Sequence, residues 1–234
     1  DDEDLPFSVK PEEKVDARRV MELLRSTYEG TEMDVTRNIK TVNRDGDTIV
    51  SPIANPWMGG NDINTYNMIA PGTVDAKRTV SVSWCSYSFV TQLRSWMPNE
   101  IGGICWFSVE NPGQSPRIPI FTGSTKLPSC FDECGHYNYN EESLLWRYRK
   151  ANKLAQIQWG STKKTMIDNV LRYEEKAMKE IPALEEEVKA LLEEGKKEEA
   201  QKLLNRYTSD FEAATANTWK EMEQSFWERF WVNF

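Results

Sequence analysis

The residues whose types and spacing offer chemistry sit in one strand-like run: Ser86, Ser88, Gln92 and Arg94 alternate with Tyr87, Phe89, Thr91 and Leu93. Successive strand side chains point to opposite faces, so the run predicts one polar and one mostly apolar face. A polar face of this kind either lines a cleft or meets solvent. Arg94 is its most specific member, because a planar guanidinium grips a carboxylate through two parallel hydrogen bonds. That carboxylate belongs either to a ligand or to a neighbouring helix. Asn55, within Ser51-Pro-Ile-Ala-Asn-Pro-Trp57, joins these candidates from a loop.

Other reaction types find less support. The only histidine, His136, lies in a polar loop between Gly135 and Tyr137, and no Gly-x-Ser-x-Gly elbow accompanies it, so a Ser-His-Asp triad is not expected. Gly59-Gly60 and Gly102-Gly103 are isolated pairs without a strand-Gly-helix context, which leaves no seat for a nucleotide cofactor. Cys85 and Cys105 occur in apolar surroundings and read as small buried hydrophobes. Cys130 and Cys134 flank Phe-Asp-Glu and form a candidate local disulfide in an oxidising compartment. With His136 they spell Cys-x-x-x-Cys-x-His, short of the four ligands and tight pairs of a structural zinc site, so no metal is expected. The nine tryptophans suggest sugar stacking in isolation, but most fall on strand or helix stripes and read as core.

A chain of 234 residues, 39% hydrophobic and 11% aromatic, can bury a substantial core. Its apolar runs are too short for a membrane span, and Asp1-Asp2-Glu3-Asp4 is the opposite of a signal peptide's opening. A net charge of -8 argues against nucleic acid, whose binding rests on clustered Lys and Arg.

The elements that must position the candidates divide the chain at about residue 140 into a helix, loop and sheet part (1–140) and a helical layer (141–234). Val9 to Tyr28 predicts a helix with Asp16 as N-cap and Gly30 as stop. Thr31 to Lys77 is loop-rich, with Thr48 to Val50 a short strand candidate. Thr79–Trp84, Tyr87–Trp96, Gly103–Val109 and Arg117–Phe121 read as successive antiparallel strands. Helices follow over Glu141–Trp159 and, after Gly160-Ser161, over a second run that Pro182 should kink or restart and Gly195 should end. Glu185 to Lys202 reads as a solvated hairpin. The last helix carries Trp219, Phe226, Trp227, Phe230, Trp231 and Phe234 on more than one face, which predicts burial on both sides. The fold class is α+β.

Four stretches carry a family resemblance: Leu5-Pro-Phe-Ser-Val-Lys-Pro-Glu-Glu-Lys-Val-Asp-Ala-Arg-Arg-Val-Met-Glu-Leu-Leu-Arg-Ser-Thr-Tyr-Glu-Gly-Thr31, Tyr87-Ser-Phe-Val-Thr-Gln-Leu-Arg-Ser-Trp-Met-Pro98, Ile101-Gly-Gly-Ile-Cys-Trp-Phe107 and Ser143-Leu-Leu-Trp-Arg-Tyr-Arg149. In order and spacing the chain resembles, essentially end to end, the C-terminal part of bacterial dipeptidases that use an N-terminal cysteine as nucleophile. The resemblance implies an N-terminal-nucleophile (Ntn) hydrolase: an αββα four-layer sandwich in which residues 1–234 form the C-terminal portion of a dipeptidase domain. It implies hydrolysis of dipeptides, with the cysteine thiolate attacking the amide carbonyl, its own α-amine carrying the proton and amides holding the oxyanion. Because this chain starts at Asp1, and Cys85 and Cys105 are internal and lack a free α-amine, no catalytic residue is expected in it. The nucleophile would come from a missing N-terminal segment. Asn55, Ser86, Ser88, Gln92 and Arg94 become substrate-binding candidates on one wall of a dipeptide cleft, without metal or organic cofactor. Export of family members fits the Cys130–Cys134 pair and an extracytoplasmic location, with a cytoplasmic one and homo-oligomerisation left open. The alternative is a non-catalytic binding or scaffold module that docks through its aromatic C-terminal helix.

Overall fold

The computed structural model describes residues 8–232, so the acidic start, the first residues of the family-like opening and Phe234 lie outside the described residues. Helix α1, Ala17–Leu24, begins where the Asp16 carboxylate accepts a hydrogen bond from the Arg19 amide at 2.8 Å, as the sequence predicts. The helix is shorter than expected at both ends. Residues 9–15 are not helical, and Tyr28, at φ 61°, has left the helix for the left-handed region.

Strands β1 (Lys40–Val42) and β2 (Thr48–Val50) pair antiparallel around Asp45-Gly46, with Gly46 at φ 88°. Helix α2, Gly60–Ile69, follows in the stretch read as loop. It buries no residue completely, so it left no apolar stripe in the sequence to reveal it.

The main sheet has three antiparallel strands in sequential order: β3 (Tyr87–Leu93), β4 (Gly103–Val109) and β5 (Ile118–Phe121). The single turn α3, Asn99–Gly102, joins β3 to β4. The register sets Ser88 opposite Ser108, Val90 opposite Trp106 and Gln92 opposite Ile104. Thr79–Trp84, read as another strand, is irregular. Its backbone is held instead by the loop after α1, where the Ser81 amide donates to the Ser26 carbonyl at 3.0 Å.

Three helices complete the chain: α4 (Leu144–Ile157), α5 (Trp159–Glu193) and α6 (Lys197–Val232). Ser143 caps α4. Helix α5 runs through Pro182 without ending, so of the kink or restart expected from the sequence the restart does not occur. An interior proline costs about 3 kcal/mol, and the apolar stripe Ala177, Ile181, Leu184 and Val188, buried on both sides of it, outweighs that cost. The hairpin closes at Gly195, φ 75°, where the Lys196 amide donates to Leu191 at 2.8 Å and the Gly195 amide to Leu192 at 3.0 Å, the paired closure of a left-handed C-cap. Helices α4 and α6 pack together over β4 and β5. Trp219, Phe226 and Phe230 enter the core, whereas Trp227 and Trp231 remain exposed.

These helices cover only one side of the sheet, the side that carries Ser88, Val90, Gln92, Ile104 and Trp106. The other side is open, with Tyr87, Phe89 and Leu93 exposed by 58%, 55% and 75%. Tyr87 stacks on Phe107 at 6.0 Å, and Phe107 meets Phe131 at 5.8 Å. The alternation in β3 is therefore present, but its polar half faces the protein and its apolar half faces outward.

Candidate functional site

The inversion of β3 decides the fate of the sequence candidates. Ser88 keeps a buried hydroxyl without a partner, and the Gln92 side-chain oxygen accepts from the Trp106 indole at 3.2 Å. Both terminal nitrogens of Arg94 are engaged, with only its buried Nε left without a partner: Nη1 donates to Glu185 Oε2 at 3.0 Å, and Nη2 donates to Glu185 Oε1 at 2.5 Å and to the Ile101 carbonyl at 2.6 Å. Its fork thus serves the helical layer, the structural alternative of the two readings, and is not free for a ligand carboxylate. Ser86 is exposed before the strand, with its carbonyl accepting the Glu110 amide at 3.0 Å. Asn55 lies elsewhere, donating to the Gln156 carbonyl at 3.2 Å and accepting from the Trp57 amide at 2.9 Å. The five residues do not form one site.

Cys130 and Cys134 are free thiols here, and the bridge read from their spacing is not formed. Cys130 is buried on a single helical turn, Ser129–Phe131, whereas Cys134 is exposed. Burial first, and then the neighbouring Glu212 carboxylate, push the Cys130 thiol up to about 12.

A dense polar loop follows β4. Glu110 has no exposed surface and adopts φ 65°, a conformation that favours glycine. Its Oε2 accepts from the Asn111 amide at 2.6 Å and from Asn152 Nδ2 at 2.9 Å, while Oε1 faces Lys153 Nζ at 3.3 Å and Arg149 Nε at 3.7 Å. Asn111 donates to Gln114 at 2.8 Å, Gln114 donates to the Asn152 carbonyl at 3.0 Å, and Trp219 donates to the Asn152 side-chain oxygen at 2.9 Å. The loop is thereby anchored to α4 and α6. Gly113 fits because a Cβ there would stand 2.5 Å from Ser81 Oγ.

Gly113 also marks one end of a cleft of about 620 Å³ between α1 with its following loop and α5. Leu23, Ile167, Leu171 and Met178 supply apolar walls. Trp57 and Trp159 meet edge to face at 4.9 Å. Their indoles are anchored: Trp57 donates to the Ser81 carbonyl at 2.7 Å, and Trp159 donates to Glu29 Oε2 at 3.0 Å. Lys163 pairs with the other Glu29 oxygen at 3.2 Å.

The charged floor of this cleft joins three elements. Glu174 of α5 takes Arg25 Nη1 on Oε2 at 2.5 Å and Arg117 Nη1 on Oε1 at 3.0 Å. Arg25 and Glu174 line the cleft, and Arg117 is fully buried beneath them, its Nε and Nη2 without hydrogen-bond partners. Burial chiefly pushes the Arg117 guanidinium down; Glu174 opposes this and the second cation, Arg25, adds to it. Arg25, Arg117 and Glu174 share no spacing that could announce them, and the sequence reading did not single them out as a site. Among the described residues no group of three or more His, Cys, Asp or Glu side chains is arranged to hold a metal ion, and no helix is long and apolar enough to cross a membrane.

Comparison with known proteins gives this architecture its class. The chain belongs to Peptidase family C69, whose profile matches residues 1–172, from the start into the first half of α5. It is also similar to a protein described as a probable dipeptidase from Latilactobacillus sakei, with 23% identity over 168 residues. That match takes in 70% of this chain and 28% of the relative, so the chain spans well under half the length of the curated protein it resembles.

Proposed function

We propose that this chain is one part of a dipeptidase of the cysteine Ntn-hydrolase kind, whose nucleophile lies in a segment outside the sequence in hand. The observation that carries the reading is the open sheet face. In a member of a peptidase family, an antiparallel sheet layered by helices on one side exposes Tyr87, Phe89 and Leu93 on the other. Exposed apolar clusters of this kind mark interaction surfaces. A second sheet stacked on that face, with helices beyond it, would complete a four-layer αββα sandwich, since sheets pack face to face through interdigitating apolar side chains.

In this reading the chain contributes half of the sandwich and a wall for the substrate, while the companion segment contributes the reacting cysteine. The thiolate of that cysteine attacks the dipeptide carbonyl, its α-amine passes the proton to the leaving amine, and water then releases the acyl group. Cys85 and Cys105 do not substitute for it. Each is internal, and burial raises both thiols above their usual range.

The test is reconstitution. The chain alone should leave dipeptides uncleaved. Co-expressed with a cysteine-led companion segment from the same reading frame, it should form a stable complex that hydrolyses them and is silenced by alkylating that cysteine. Turnover by the chain alone, abolished by Cys85→Ala or Cys105→Ala, would overturn the reading. A second reading, a non-catalytic docking module, rests on the exposure of Trp227 and Trp231 at the end of α6, and a companion-independent partner captured through those two residues would favour it.

A further inference from the structure

We propose that the cleft between α1 and α5 binds the free carboxylate of a small peptide or amino acid, with its apolar side chain laid against Trp57 and the apolar residues of α5. The choice of ligand rests on the peptidase reading; the geometry does not. Two guanidinium groups, Arg25 and Arg117, share the single carboxylate of Glu174, which leaves the floor one positive charge in excess. Arg117 has no exposed surface and does not line the cleft; it holds one oxygen of Glu174 from behind, so that carboxylate is shared and does not neutralise Arg25 alone. Arg25 gives one nitrogen to Glu174 and faces the cleft, so the rest of its fork is available to a ligand.

The other carboxylates nearby do not cancel this preference. Glu29 is held by Trp159 and Lys163, and Glu22 pairs with Arg19 at 2.6 Å. Glu175 is exposed, so solvent screens its charge, and the exposed cation Arg18 lines the same cleft. An apolar wall with a few convergent polar groups, in a volume of about 300–1,000 Å³, is the usual form of a small-molecule site. The half-buried Trp57 indole, with Ile167, Leu171 and Met178 of α5, gives an aromatic or aliphatic side chain a surface beside the charged floor, which a bare inorganic anion would not use.

The test uses the 234-residue chain and needs no nucleophile, so its outcome is separate from the reconstitution experiment. Gly-Phe, Gly-Phe-amide and Gly-Gly are titrated by calorimetry and by tryptophan fluorescence, to which Trp57 in the cleft should contribute. Gly-Phe should bind about tenfold or more tightly than its amide, the size expected of one charge-assisted hydrogen bond, and more tightly than Gly-Gly. Arg25→Lys, which keeps the charge but loses the fork, should erase most of the difference between acid and amide. Ile167→Trp fills the cleft from α5 without touching the ion cluster and should block binding while thermal unfolding stays cooperative. Equal affinity for acid and amide, binding unaffected by both variants, or no binding of any of the three peptides by the folded chain would each overturn the proposal.

Discussion

Arg94, directly after β3, and Glu185 in α5 stand 91 positions apart in the chain and meet fork to fork, through Nη1–Oε2 at 3.0 Å and Nη2–Oε1 at 2.5 Å. Their side chains are 14% and 7% exposed, so the pair ties the sheet to the long helix in a largely dry setting. Removing one partner leaves the other charge buried and alone. Arg94→Ala or Glu185→Ala should therefore each cost about 3 kcal/mol in urea unfolding, while Arg94→Met with Glu185→Leu together should come closer to wild type. An unchanged unfolding midpoint in Arg94→Ala would remove this structural role.

The open sheet face should make the isolated chain self-associate. Replacing Tyr87, Phe89 and Leu93 together by threonine should lower both dye binding to exposed apolar surface and the sedimenting mass at high concentration. Because these side chains already face outward, the triple change should cost less than about 1 kcal/mol of stability. A loss far larger than that would mean the face is packed in the folded chain.

The four cysteines should titrate as separate thiols. Thiol reagents should count four after denaturation, and the native chain should label first at exposed Cys134 and last at buried Cys130. A count of two would restore the local bridge. Folding raises the Cys130 thiol from the ordinary 9.0 to about 12. The native state thus holds a proton that the unfolded chain releases, so this contribution is complete below about pH 9 and is lost as pH rises towards 12. Cys130→Ala should flatten that part of the alkaline stability profile.

Glu110 combines a left-handed backbone with a buried carboxylate, and the two can be separated. Glu110→Gln keeps the backbone and shape but removes the charge facing Lys153 and Arg149, with an expected loss of about 2 kcal/mol. Glu110→Gly relaxes the backbone yet abandons the bonds to Asn111 and Asn152, and should be the worse of the two if the hydrogen bonds dominate. Thermal unfolding of both variants, side by side, gives the order.

Local signals in the sequence located several elements closely. Asp16 caps α1, Gly103–Val109 forms β4 as read, and Gly195 closes the α5–α6 hairpin. Each signal acts within a few residues of its effect. The face of β3 was a different kind of question, because a period of two states which residues share a side and is silent on which side the helices cover. Helix α2 passed unseen for want of an apolar stripe, and Thr79–Trp84 imitated a strand while finding its partner in the loop after α1. The cleft was the least legible feature, since Arg25, Arg117 and Glu174 come from three elements and meet only in the folded chain.

The shared carboxylate of Glu174 also bears on how the molecule opens. Helix α1 has eight residues and one fully buried side chain, Met21, so its own packing is slight and an isolated helix of that length would fray. Arg25, next to its last turn, ties it through Glu174 to α5 and through Arg117 to β5. Amide hydrogens of Val20 to Leu24 should accordingly exchange with solvent on a timescale approaching that of the long helix. Glu174→Gln should detach the short helix into a separate opening unit, its amides exchanging early while those of α5 and α6 stay protected.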